Sequence, residues 1–192
     1  MAGDIERYIG GGTVELALWN GTDYEDFVDI GEVQTGTLKI ANTYADGYSK
    51  DSGLKKLVDK VLIGTNATTS LTTQNLSKDN MAMAMFGTVE TETFAIGEEL
   101  PDGTTATVET ELDVIKGGTV AKIEAKIRVI GVNLSGDKNP VLEIHHAFIT
   151  PSGDVRDYFA EKHTTLGFDV EIVKLDTEDS HFKEYFIPKT EA

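Results

Sequence analysis

The chain has 192 residues, with 33 acidic against 17 basic side chains, a formal net charge of −16 and no cysteine. That balance argues against a grip on nucleic acid, which needs clustered cations to displace counterions from phosphate. The missing cysteine excludes disulfides and thiolate metal sites and fits folding in a reducing cytosol. The length suits one all-β domain with extensions, no stretch is apolar for long enough to span a membrane, and the opening MAGDIERYIGGG lacks the cationic start and apolar run of a signal peptide.

Residues 1–12 mix charges, end in three glycines and show no period, which predicts an N-terminal arm. From residue 14 to 19 the chain alternates, with Val14, Leu16 and Leu18 on one face and Glu15, Ala17 and Trp19 on the other, the period of a strand. Asn20-Gly21 makes the following turn. A second strand region covers residues 27–40, with Gly31 and Gly36 as bulges or bends. Residues 22–32 carry five acids and no base.

Across residues 42–56 the alternation stops, and Asp46, Gly47, Ser49, Asp51, Ser52 and Gly53 read as turn formers around Tyr44 and Tyr48. A loop of this length inside a compact domain asks for a partner. Strands are expected at 57–63 and 65–76, the latter rich in β-branched threonine, with a turn or bulge at Gly64-Thr65-Asn66. Residues 78–86 are read as a short helix, with Ser77 as its N-cap and Gly87 as its stop, although Met81, Met83 and Met85 also alternate. A Met-rich segment of this kind more often packs in a core than forms a binding groove.

Residues 88–115 hold eight acids and no base, with a turn at Pro101-Asp102-Gly103. The clearest local expectation is a hairpin of residues 106–116 with 119–129 about Gly117-Gly118. In that register Val108, Thr110, Leu112 and Val114 share the core face with Ile127, Ala125, Ile123 and Ala121. The other face sets Asp113 against Lys122 and Glu109 against Lys126, with Glu111 against Glu124 as a like-charge pair. Further on, residues 141–150 place Leu142, Ile144, His146 and Phe148 on one side and Glu143 and His145 on the other. Residues 151–154 turn the chain, and 166–175 read as a final strand with Phe168, Val170 and Ile172 inward. Residues 176–192 form a polar C-terminal arm whose Phe182, Tyr185, Phe186 and Ile187 need a surface to pack against, in this domain or a neighbour. The whole predicts an antiparallel β-sandwich or barrel over residues 13–175, with one flanking helix, a long loop and two arms. No internal repeat is present.

Catalytic and metal readings find little support. His145 and His146 are adjacent, and neighbours on a strand point to opposite faces, so they do not share one ion easily; Glu143, His163 and His181 complete no ligand set by spacing. Gly10-Gly11-Gly12 follows no strand and opens no helix, so a linker is expected there and not a phosphate cradle. No nucleophile elbow surrounds any serine. Four Asn-X-Ser/Thr matches arise by chance in a Thr-rich chain. No enzyme and no cofactor are expected.

The combination of Tyr48, Ser49, Ser52, Gly53 and Leu54, the Leu71-Thr72-Thr73 run, and Ser77, Asn80, Met81 and Gly87 resembles the tail tube (major tail) proteins of long-tailed bacteriophages. The resemblance implies a β-sandwich with a flanking helix that assembles into hexameric rings, stacked as the conduit for genome ejection. It implies a virion protein made in the bacterial host cytoplasm, with tape measure, tail terminator and distal tail proteins as partners, and DNA passing without specific binding. By the same resemblance the 42–56 loop contacts the adjacent ring, through Tyr44, Tyr48, Lys50, Leu54, Lys55 and Lys56. On that reading Glu109, Glu111 and Asp113 are candidates for an acidic lumen that repels DNA, although acidic blocks also suit a plain solvated face. The alternatives are the tube subunit of a contractile secretion system and a monomeric ligand-binding β-domain.

Overall fold

The computed structural model describes residues 11–49, 56–133, 136–153 and 165–189. In chain order the elements are β1 (Gly12–Leu18), β2 (Val28–Asp29), β3 (Val33–Ser49), β4 (Lys56–Thr73), α1 (Lys78–Ala84), β5 (Thr88–Phe94), β6 (Thr110–Lys116), β7 (Ile123–Gly131), β8 (Lys138–Ser152), β9 (Leu166–Ile172) and β10 (Phe182–Pro188). Every pairing is antiparallel. The main sheet runs β2-β1-β7-β8-β9-β4-β3, β10 adds to β8, and β5 and β6 form a separate two-stranded sheet. The mainly β architecture with one short helix is the one the alternation predicts.

The two ends of the main sheet are brought together by residues 30–32. Ile30 donates its N–H to the Val14 carbonyl at 3.0 Å, while the Thr73 hydroxyl donates to the carbonyls of Ile30 and Glu32 at 3.2 and 3.0 Å. Gly31 sits at φ +84°, and a Cβ there would meet the Asn75 side chain at 2.5 Å, so the crossing needs glycine. The Asn80 side chain pins the crossing by donating to the carbonyls of Ile30 and Asn75, both at 2.9 Å. Inside lies one core: Val14 and Leu16 from β1, Ile123, Ala125 and Ile127 from β7, Ile144, Ala147 and Ile149 from β8, alternate residues 166–172 of β9, and Met81, Met83 and Ala84 of α1.

The Ser77 side chain caps α1 by accepting from the Asn80 N–H at 3.2 Å. The stop differs from expectation. Phe86, not Gly87, takes the left-handed conformation at φ +50°, and the Gly87 N–H donates to the Ala82 carbonyl at 2.8 Å. Gly87 is needed for space, because a Cβ there would lie 2.5 Å from the Lys116 carbonyl oxygen.

Several expectations are corrected. Residues 42–49 are not loop: they continue β3, paired residue for residue with β4, and residues 57–76 read as two strands are one strand as far as Thr73. The turn formers are absorbed by register shifts at Thr43/Tyr44 and Gly47/Tyr48, the first leaving Ile63 as the extra residue. Residues 50–55 lie outside the described residues.

The hairpin of 106–116 with 119–129 does not form. β6 pairs with β5, from Thr88↔Lys116 to Phe94↔Thr110, and β7 lies between β1 and β8. After Lys116 the backbone turns to the end of α1, where Gly118 and Val120 donate to the carbonyls of Met85 and Phe86. A strand carrying the fully buried Ala125 and Ile127 is served by two long neighbours, which outweighs one local turn. Asp113 therefore faces neither Lys122 nor the solvent alone; it pairs with Lys78 of α1 at 2.9 Å.

In β8 the face assignment changes half-way. Ala147 pairs with Ala125 and Ile144 with Ile127, so His145 and His146 together oppose Lys126. This bulge passes the inner face from Ile144 to Ala147 and Ile149 and turns His146 and Phe148 outward. Finally, residues 182–188 are not a free arm and residues 166–172 are not the final strand. β10 runs beside β8 from Phe182↔Ile144 to Pro188↔Lys138, with Phe182 packed against the core and Tyr185, Phe186 and Ile187 exposed.

Candidate assembly surface

The pairing of β4 with β9 begins at Ala67↔Ile172. Beyond that point, residues 41–49 and 56–66 pair only with each other among the described residues, as a two-stranded ribbon extending from the body. Cross-strand partners share a face. The core-facing series therefore runs Leu38 with Thr69, Ile40 with Ala67, Asn42 with Thr65, then Tyr44 with Leu62, Asp46 with Lys60 and Tyr48 with Leu57.

Ala67 and Leu71, at the base, are buried. On the β3 edge Ile40, the partner of Ala67, is already 56% exposed; further out Tyr44 is 45% and Leu62 52% exposed. Leu57 and Tyr48 are exposed as well. The apolar face thus outlasts the body that covers it. Polar groups on the same face are held in place: the Thr65 hydroxyl donates to the Asn42 side chain at 2.9 Å, Lys60 Nζ stands 5.1 Å from the Tyr44 ring centre, and the Tyr48 hydroxyl donates to Asp46 at 3.2 Å. The charge of Asp46, and then that hydrogen bond, raise the Tyr48 phenol above its ordinary pKa and keep it a donor. The opposite face pairs Ala41 with Asn66, Ala45 with Val61 and Gly47 with Asp59, and is smaller and more polar apart from Val61. At the base of the ribbon, a cleft of about 310 Å³ opens among Val14, Val33, Leu38, Leu71, Val129 and Leu142.

Of the residues expected to make the inter-ring contact, Tyr44 and Tyr48 lie on this face. Lys50, Leu54 and Lys55 fall outside the described residues, and Lys56 is placed only as the first residue of β4. The expected acidic trio is not uniform. Glu111 is exposed on β6 and Glu109 just before it, but Asp113 is engaged by Lys78. Ile115, from the face that carries Asp113, packs against the core, while Leu112 and Val114 are half-buried on the other face. On that other face Lys116 pairs with Glu90 at 2.5 Å and approaches Glu92 at 3.8 Å.

A second cluster, unseen in the sequence, surrounds the β8 bulge. The Tyr24 hydroxyl and His146 Nδ1 are 2.5 Å apart, and His146 Nε2 lies 3.4 Å from Glu124. Trp19 packs edge-on to Tyr24 at 5.0 Å, His146 edge-on to Phe148 at 5.3 Å, and Lys126 covers the Tyr24 ring at 4.7 Å. Burial, and then the charge of Glu124, raise the Tyr24 phenol above its ordinary pKa, so it stays protonated. The rings occupy one another's faces, and the arrangement is that of a satisfied structural network. Among the described residues no three His, Asp or Glu side chains gather where one metal ion would bind them all.

Residues 7–126, which take in the ribbon, α1 and the β5–β6 sheet, match the family described as Protein of unknown function UCP028589. The chain belongs to that family. No curated protein matches it.

Proposed function

We propose that the chain is a self-assembling tube subunit of a long-tailed bacteriophage, forming stacked rings through which the genome passes. The observation that carries the reading is the uncovered apolar face of the β3–β4 ribbon. Tyr44, Tyr48, Leu57 and Leu62 continue the alternation of the core beyond the body, where no described residue covers them and a second molecule could bury them. Completing the burial of each half-exposed side chain is worth roughly 1 kcal/mol, a term that repeats at every subunit of a regular assembly. The edge of β3, which no described residue pairs, and the exposed Tyr185, Phe186 and Ile187 of β10 offer further lateral contacts. The net charge of −16 suits a conduit that does not hold DNA, and the resemblance to tail tube proteins supplies the particular assembly.

Negative-stain microscopy and size-exclusion chromatography of the purified chain, over a range of concentration and salt, test the proposal. Rings or tubes are expected, and a chain that stays monomeric throughout overturns it. Replacing residues 42–64 by a short Gly-Ser turn is expected to keep the barrel folded while abolishing tubes. In the conduit, Glu109→Lys with Glu111→Lys is expected to slow DNA passage with tubes intact; unchanged passage would leave these two as solvated surface.

A further inference from the structure

The bulge that turns His146 outward leaves its neighbour in an unusual position. His145 is only 6% exposed, and its Nε2 is the buried side-chain polar atom left without a hydrogen-bond partner among the described residues. A buried polar nitrogen with no partner is destabilising. The nearest carboxylate oxygen is Oε2 of Glu178, 3.7 Å away, too far for a hydrogen bond and close enough for an ion pair once the imidazole is charged. Glu178 belongs to the connection between β9 and β10, and Lys183 of β10 holds the same oxygen at 3.1 Å.

The place matters as much as the distance. Along one edge of β8, the pairing with β9 ends at Ala147↔Ile172 and the pairing with β10 begins at Ile144↔Phe182. His145 and His146 stand at the junction, where the Val173 N–H donates to the His146 carbonyl at 3.0 Å. Beyond Phe182, the side chains of β10 are exposed, so its attachment rests mainly on the backbone ladder.

We propose that His145 and Glu178 form a proton-operated clasp, which fastens the β9–β10 connection, and with it β10, to β8 when His145 is protonated. A charged imidazolium gains an ionised partner and a donor for its orphaned nitrogen. The neutral ring turns an unsatisfied atom toward a carboxylate. The hydrogen bond from Lys183, and then the charge of His145, hold the Glu178 carboxyl below its ordinary value, so it is ionised where histidine takes up its proton. The sign follows. Attachment strengthens when the imidazole gains its proton, and weakens again when acid protonates Glu178.

Other groups surround the pair. On β8 these are Glu143 and His146; on β7, Glu124, Lys126 and Arg128 opposite Glu143; on β10, Lys183 and Tyr185; and across the cluster, Tyr24. His146 is already committed to Tyr24 and Glu124. The test must therefore separate the two histidines.

Hydrogen exchange of the full chain, corrected for the intrinsic pH dependence of amide exchange, reads the clasp through the amides of Val173 and β10. Between pH 8 and 5.5 the local opening constant is expected to fall about fivefold, the upper end for a partly exposed ion pair. His145→Gln and Glu178→Gln are each expected to abolish that dependence, while His146→Gln and Lys183→Gln retain it. Glu178 is part-exposed, so Glu178→Gln keeps the test open if His145→Gln does not fold. A pH dependence that survives Glu178→Gln, or that vanishes with His146→Gln alone, overturns the proposal. The contact lies within one chain, and because β10 also offers lateral contacts, exchange is read at a concentration where the chain is monomeric, so that failure of the clasp and failure of assembly are told apart.

Discussion

The same two strands, β3 and β4, pass through two environments. Near the body, Gly36, Leu38 and Ile40 pair with Leu71, Thr69 and Ala67 against β9 and the core. Farther out, Tyr44, Asp46 and Tyr48 pair with Leu62, Lys60 and Leu57, and β9 no longer runs alongside. The backbone ladder is continuous between the halves, and the alternation of faces persists across two bulges. What changes is the cover. A two-stranded ribbon is marginal by itself, so the inner half is stabilised through the burial of Ala67 and Leu71 of β4, while Leu38 and Ile40 on the β3 edge stay exposed. The outer half keeps apolar side chains that no described residue covers. Substitutions in the two halves are therefore expected to separate stability from assembly.

The largest effect is expected beneath the inner half. Phe168 of β9 is 1% exposed and pairs with Leu71 of β4. Phe168→Ala removes most of a large buried side chain and leaves a cavity, a loss of about 3–5 kcal/mol measurable by urea unfolding. A loss below about 1 kcal/mol would mean that the core does not support the inner half, and the contrast would collapse. Asn80→Ala comes next. It strips the carbonyls of Ile30 and Asn75 of a buried donor where the sheet ends are brought together. A loss of about 1–3 kcal/mol is expected in the same assay. Smaller again is Ser77→Ala at the N-cap of α1, expected to lower stability by about 1 kcal/mol.

Much of this division was legible in the residues, and the parts that were not have physical reasons. Alternation located β1 and β9, and in β9 the buried face as well, because a buried strand with one core side declares its period; in β1 Ala17 is buried and Leu18 exposed. Ser77 announced the helix, since a cap is a local hydrogen bond. Partner choice was hidden: Gly117-Gly118 is good turn chemistry, yet β7 has two long neighbours and β6 pairs with β5. The His145-His146 bulge was hidden as well, for one extra residue inverts every later face while leaving the apolar pattern intact. In the ribbon, Asp46 and Gly47 read as turn formers although they pair with Lys60 and Asp59, because bulges accommodate them. Tyr44 and Tyr48 are exposed in the ribbon all the same.

The smallest expected effect on the isolated chain is the one that bears most directly on assembly. Tyr44 and Leu62 are cross-strand partners on the uncovered face, each about half exposed, with Lys60 over the Tyr44 ring. Replacing both by serine removes no core packing, so the unfolding free energy should change by less than about 0.5 kcal/mol. Assembly should respond differently. At an interface the same two side chains would move from half-exposed to buried, and exposed, rotatable groups that become covered are where a few residues come to dominate association. Sedimentation velocity of the double variant beside the unaltered chain, at matched concentration and salt, separates the outcomes. Monomer of unchanged stability with loss of the larger species is expected. If the double variant instead unfolds readily, the outer half is stabilised within its own chain, and the exposed face would have to be explained without a second molecule.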